Sequence, residues 1–192
     1  MIIGLTGSIA TGKSTVTKYL LSKGYPVIDS DLLARQVVEK GHPVLESITN
    51  EFGEEVLLES GELNRKALGA IVFSDEQARK KLNALTHPAI NEQMHRLIEM
   101  YENDGHQYIF CDIPLLYEGR LESTFDEIWV VYIPENLQLE RLMNRDAISA
   151  DEAKGKIRAQ LSIEDKKRRA THVIDNSKSK ELTYEQIDRL LS

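Results

Sequence analysis

One eight-residue string constrains this chain more than any other feature of it: Gly7-Ser8-Ile9-Ala10-Thr11-Gly12-Lys13-Ser14. A short apolar run, Ile2 to Leu5, precedes it, and Val16, Tyr19 and Leu20 follow at helical spacing until Gly24 ends the pattern. Strand, loop, helix is the context in which G-x-x-x-x-G-K-[ST] cradles phosphate. Gly7 and Gly12 let the backbone turn tightly and approach an anion with no Cβ in the way. The N–H groups of the loop and of the helix start, Ala10 to Thr15, point at phosphate oxygens, and the helix dipole adds to the attraction. Lys13 supplies a mobile cation for β- and γ-phosphates, and the Ser14 hydroxyl is placed to ligate Mg²⁺. A glycine-rich turn that merely joins strand to helix would not need all four fixed positions.

The rest of the chain repeats the alternation. Pro26-Val27-Ile28, Tyr108 to Cys111, Ile128 to Ile133 and His172 to Ile174 read as further strands, and Leu32 to Lys40 and Thr183 to Leu191 as helices. The strands are apolar on both faces, which calls for a parallel sheet covered on both sides. From Pro43 to Asp104 the periodicity is helical throughout, with turn signals at Gly53, at Ser60-Gly61 and at the helix-breaking pair His87-Pro88. That stretch is too long for one crossover and reads as a helical substrate-binding insertion. The fold class is therefore α/β: a P-loop NTPase core with a five-stranded parallel sheet, a helical insertion and a helical lid. The core is expected over 1–31, 108–135 and 170–192, the acceptor domain over 32–107 and the lid over 136–169.

Carboxylates stand where strands end. Asp29 and Asp31 close Val27-Ile28-Asp29-Ser30-Asp31, and in an extended chain period 2 would put both on one side. The carboxyl ends of strands line the ligand crevice of an α/β sheet. One acid there would take the proton of an attacking hydroxyl and the other orient a magnesium water; equally, Asp31 would simply cap the helix starting at Leu32. Asp112 ends the third strand and resembles the second carboxylate of P-loop enzymes, which holds a magnesium water. The alternative is a strand-end aspartate satisfied by backbone donors. Cys111 reads as a small buried residue rather than a nucleophile, and Trp129 as core.

Charge limits the partners. The formal net charge is −7, which argues against broad nucleic-acid binding. Residues 140–170 go against that balance, with nine Lys/Arg to six Asp/Glu. They read as a polar helical pair broken near Ala147-Ile148-Ser149. Arg141 and Arg145 are four apart and share one helix face, which suits a clamp over transferring phosphate, while a solvated face explains most of the later basic residues. A lone cysteine excludes a disulfide framework within the chain, no apolar run approaches bilayer length, and the N-terminus lacks a basic, then apolar leader. The expectation is a cytoplasmic enzyme, a monomer, acting on small molecules with no membrane or nucleic-acid partner.

Taken together the segments resemble the dephospho-CoA kinase family over nearly the whole chain. The resemblance rests on Ile28-Asp29-Ser30-Asp31-Leu32-Leu33-Ala34-Arg35, Leu85-Thr86-His87-Pro88, Asp112-Ile113-Pro114-Leu115-Leu116-Tyr117-Glu118, Arg141-Leu142-Met143-Asn144-Arg145 and Val173-Ile174-Asp175-Asn176, besides the phosphate loop. It implies ATP and Mg²⁺ as cosubstrate and metal, and transfer to the ribose 3′-hydroxyl of dephospho-CoA, the last step of coenzyme A synthesis. It implies Asp31 as the base, Arg145 as the arginine on the ATP phosphates and Asn176 near the adenine, with Arg141 a further candidate for binding the nucleotide. Arg35, His87, Leu115, Leu116 and Glu118 are implied near the acceptor. The chain departs from the family pattern at Lys156, where Arg is usual, at Ser162, where Pro is common, and at Thr171-His172, in place of Ala-Asp. Two rivals remain at this point: a P-loop kinase for another small acceptor, such as a nucleoside monophosphate or sugar acid, and a nucleotide-dependent switch with no acceptor.

Overall fold

Five apolar strands assemble into one parallel sheet of order β2-β3-β1-β4-β5, in a computed structural model that describes residues 1–192. They are β1 (Ile2–Gly7), β2 (Val27–Asp29), β3 (Ile109–Asp112), β4 (Glu127–Tyr132) and β5 (His172–Asp175). β1 is central, pairing Ile3 with Phe110 of β3 and Leu5 with Trp129 of β4. Its residues from Ile3 to Gly7 are all buried, as are all four of β3, so both faces need cover. Helix α1 (Lys13–Ser22) supplies Val16 and Leu20, and α9 (Lys180–Leu190) supplies Ile187, to a core with Ile3, Leu5, Phe110, Trp129, Val131 and Ile174. Trp129 is 1% exposed, and its indole N–H donates to Glu127 Oε2 at 2.9 Å. Gly4 is required by close approach, since a Cβ there would lie 2.6 Å from Leu116 Cδ1.

The chain divides into two compact units, Met1–Ile28 with Tyr101–Ser192, and Asp29–Met100. The second unit holds α2 (Ser30–Gln36), α3 (Pro43–Phe52), α4 (Arg65–Ser74) and most of α5 (Glu76–Asn103) around its own core of Val37, Val38, Val44, Ile48, Val56 and Leu68. The second unit departs from the sequence expectations at three places. The helix expected over Leu32 to Lys40 starts earlier and ends at Gln36, where Val37 and Val38 turn inward. The stretch is not helical throughout: Leu57 bridges antiparallel to Leu63 across a turn whose Gly61 sits at φ +79°. His87-Pro88 does not break the helix, because α5 runs through Pro88. Pro88 removes one N–H donor, but Leu82, Leu85, Ala89 and Ile90 on either side of it pack on the same core and hold the helix together.

Residues 135–169 form three helices rather than a pair: α6 (Glu135–Asp146), α7 (Ala150–Arg158) and α8 (Ile163–Arg169). Ala147 ends α6 at φ +53°, and Ser149 opens α7 in a capping box with Glu152. The second break follows from Ser162, whose hydroxyl accepts from the Asp165 N–H at 3.1 Å and so starts α8. The departure from proline at this position thus keeps a helix start. Thr171 likewise takes a structural role, its Oγ1 accepting from the Ile128 N–H at 3.0 Å.

Candidate active site

The phosphate loop leaves the carboxyl end of the central strand and opens α1, as its sequence requires. Gly12 is the N-cap at φ +85°, and a Cβ there would fall 2.1 Å from Asn176 Nδ2, so two independent constraints demand glycine. Ala10 also holds a left-handed φ of +63°. Thr11 is fully buried; its hydroxyl donates to Ser8 O at 2.9 Å and its carbonyl accepts from Asn176 Nδ2 at 2.8 Å. Asn176, 6% exposed after β5, also accepts from Thr183 Oγ1 at 3.0 Å, tying the loop to α9. Arg141 Nη1 donates to the Asn176 carbonyl at 3.1 Å. The structure therefore brings Thr11, Gly12, Arg141 and Asn176 together.

Lys13 and Asp112 also meet. The Lys13 ammonium pairs with Asp112 Oδ1, and Thr17 Oγ1 donates to Asp112 Oδ2 at 2.8 Å. Their side chains are 19% and 7% exposed, so Lys13 is held rather than free in the loop. Two side chains, those of Lys13 and Thr17, are thus among the partners of the strand-end Asp112. Ser14 is exposed at the second position of α1. Next to Asp112, Cys111 is fully buried and burial pushes its thiol up to about 12, so it is no nucleophile at neutral pH.

Sequence reasoning missed a second layer beneath the loop. Lys166 is completely buried, ion-paired to Glu118 Oε1 at 2.9 Å and donating to Pro114 O at 3.1 Å and Gly7 O at 3.4 Å. Burial holds its ammonium pKa below the ordinary lysine value; Glu118 opposes that fall and the nearby Lys13 charge adds to it. Within the run Lys166-Lys167-Arg168-Arg169 it looked solvated, yet it lies three residues from the buried Ile163, on the same helix face. Gln138, four before the buried Leu142, was hidden in the same way. Its Nε2 donates to Ile9 O at 2.8 Å, while the Ile9 N–H donates to Gln160 Oε1 at 2.8 Å. Ser8 Oγ donates to Leu161 O at 3.3 Å.

Arg145 is exposed and bonds Asp146 through Nε at 2.8 Å, and Lys156 bonds the same carboxylate at 2.8 Å, so Arg145 and Arg141 have separate partners. Those two cations, Arg145 foremost, draw the Asp146 carboxyl down to about 2. Leu115 is 48% exposed, whereas Leu116 is fully buried in the core. Glu118 accepts from Leu161 N–H at 2.8 Å besides Lys166. In the second unit, Asp29, not Asp31, caps α2, its carboxylate accepting from the N–H groups of Asp31 and Leu32. The backbone turns helical at Ser30, so the extended geometry expected to align the two carboxylates does not exist, and Asp31 is exposed in the first turn. Arg35 and His87 are exposed on α2 and α5.

Comparison with known proteins fits this geometry. A family model described as dephospho-CoA kinase matches residues 1–181. A dephospho-CoA kinase of Shouchella clausii is 50% identical over 187 residues, covering 97% of this chain and 95% of that one. The solved dephospho-CoA kinase of Campylobacter jejuni superposes with a TM-score of 0.76 at 30% identity, covering 98% of this chain and 96% of the other. A shikimate kinase of Acinetobacter baumannii shares the fold, with a TM-score of 0.54 at 17% identity over 99% and 92% of the two chains.

Proposed function

The chain belongs to the dephospho-CoA kinase family and transfers a phosphoryl group from ATP to dephospho-CoA, and from that premise we propose how its residues divide the work. The N–H groups from Ala10 to Thr15 and the ammonium of Lys13 hold the ATP phosphates, with Asn176 and Arg141 beside the nucleotide base. Lys13 leaves Asp112 for the β- and γ-phosphates when ATP binds. The observation that carries this reading is the Lys13–Asp112–Thr17 cluster at the mouth of a complete phosphate loop.

Mg²⁺ fits the donors present. The Ser14 hydroxyl and the Asp112 carboxylate are hard oxygen ligands, and Mg²⁺ is held by few protein oxygens, its remaining positions going to water and phosphate. Ser14 would ligate it directly and Asp112 through water; when bound it neutralises charge on the β- and γ-phosphates. The 3′-hydroxyl oxygen of dephospho-CoA bonds to the γ-phosphorus as the bond to the ADP oxygen breaks, and Asp31 accepts the hydroxyl proton. That Asp29 does the capping leaves the Asp31 carboxylate out of helix capping. Arg145 leaves Asp146 to stabilise the transferring phosphoryl group, so that α6–α8 act as a lid. Arg35, His87, Leu115 and Glu118 hold the acceptor, with Leu116 supporting Leu115 from within the core. The enzyme works in the cytoplasm as a monomer, every role being carried by the same chain, with no nucleic-acid partner for a protein of net charge −7. No helix is long and apolar enough to cross a membrane.

The test is Asp31→Asn. ATP binding is retained and kcat with dephospho-CoA falls by roughly 10²–10⁴-fold, the range of a positioned base. Since Asp29 caps α2, stability moves by less than about 0.5 kcal/mol. A wild-type kcat in this variant removes Asp31 from the mechanism.

A further inference from the structure

Both backbone polar groups of Ile9 are met by glutamine side chains: Gln160 accepts from its N–H, and Gln138 donates to its C=O, each at 2.8 Å. The second bond bears on the next residue. The Ile9–Ala10 peptide is trans and planar, so its C=O and N–H point in opposite directions. Drawing the Ile9 carbonyl toward α6 therefore turns the Ala10 N–H away from α6. Ala10 is a non-glycine residue at φ +63°, a conformation that persists only when its surroundings enforce it. A flipped peptide would relieve it and present a carbonyl oxygen to an incoming phosphate.

Gln138 is placed for this task at some cost to itself. It is fully buried on α6, and its Oε1 has no hydrogen-bond partner. The opposite amide orientation would set that oxygen against the Ile9 carbonyl oxygen, so only the donating orientation is compatible with the site. We propose that Gln138 is a positioning residue for phosphoryl transfer, locking the Ile9–Ala10 peptide so that the Ala10 N–H faces the polyphosphate. The proposal rests on the reading of residues 7–14 as the ATP loop.

The experiment uses Gln138→Glu and Gln138→Met in the full chain. ADP affinity is measured by calorimetry, steady-state constants for both substrates are determined, and thermal melting is recorded. At about pH 8 the Glu variant carries an acceptor against an acceptor, and ADP affinity and kcat/KM for ATP fall about 10- to 100-fold, the scale of a misplaced binding group. KM for dephospho-CoA stays at the wild-type value. Burial raises the pKa of the introduced carboxyl, and its protonated form has an O–H to donate to Ile9. Its deficit relative to wild type therefore shrinks as the pH is lowered toward about 5.5. Gln138→Met shows a comparable deficit with no such pH dependence. A purely structural role would lower the melting temperature and leave ADP affinity of the folded fraction unchanged, which overturns the proposal. Lys13→Ala is the control for the loop: wild-type ADP binding and transfer in that variant would remove the premise. An inactive Lys13→Ala beside Gln138 variants that bind ADP like wild type at every pH would keep the loop and overturn the role of Gln138.

Discussion

Glu118→Ala tests whether the buried ammonium of Lys166 depends on its single carboxylate. Lys166 is wholly shielded from solvent, and without Glu118 it keeps only the carbonyls of Pro114 at 3.1 Å and Gly7 at 3.4 Å. Removing one partner of a fully buried pair costs about 3–5 kcal/mol. The Glu118 side chain is 24% exposed, so solvent screening reduces the expected loss to about 2–4 kcal/mol. The Leu161 N–H loses its acceptor as well, worth about 1 kcal/mol. In a Lys166→Met background no cation is left stranded, and Glu118→Ala should cost only that last amount, about 1 kcal/mol. The double-mutant cycle therefore yields a coupling of about 2–4 kcal/mol. Urea unfolding of the four proteins measures it, with constant m-values as the condition for reading midpoints as stability. The pH dependence has a fixed sign. The folded-state pKa of Lys166 lies below its ordinary 10.5. Between those two values the unfolded chain binds more protons, so stability rises with pH through that window. Without Glu118 the folded pKa falls further, and the deficit of Glu118→Ala narrows as the pH rises toward 10.5. Additive effects in the cycle would refute the argument and leave Glu118 only its bond from the Leu161 N–H, and a Glu118→Ala variant as stable as wild type would remove both roles.

Two further outcomes concern the Arg145 cluster. Arg145→Ala should lower kcat by about 10³-fold or more, as for an arginine acting on the transferring phosphoryl group, with a smaller change in KM for dephospho-CoA; an effect confined to that KM would put Arg145 in the acceptor site. Asp146→Asn should remove an acid-sensitive share of stability: with its carboxyl drawn from 3.8 to about 2, wild type holds that share above 3.8 and loses it as pH falls through about 2. The stability gap between wild type and the Asn variant therefore closes over that interval, and a gap independent of pH would show that Arg145 and Lys156 do not stabilise this carboxylate.

What the amino-acid sequence determined alone was local or periodic. The phosphate loop needs glycine at position 12 because its own backbone turns left-handed there, and the strands announce themselves because burial on both faces demands continuous apolar runs. From those two signals the parallel sheet, its cover of helices and a nucleotide site at the carboxyl end of β1 follow. Fine boundaries did not, since they hang on competing partners. Asp29 and Asp31 are equally good caps as residue types, and only the backbone turn at Ser30 gives the task to Asp29. Pro88 breaks helices in isolation, yet side chains on both sides of it packing on one core outweigh the lost bond. Lys166 and Gln138 reach Gly7 and Ile9 across separations of 159 and 129 residues. Polar residues are read from sequence as solvated, and their burial becomes intelligible only once the fold has set carbonyl oxygens where their donors end.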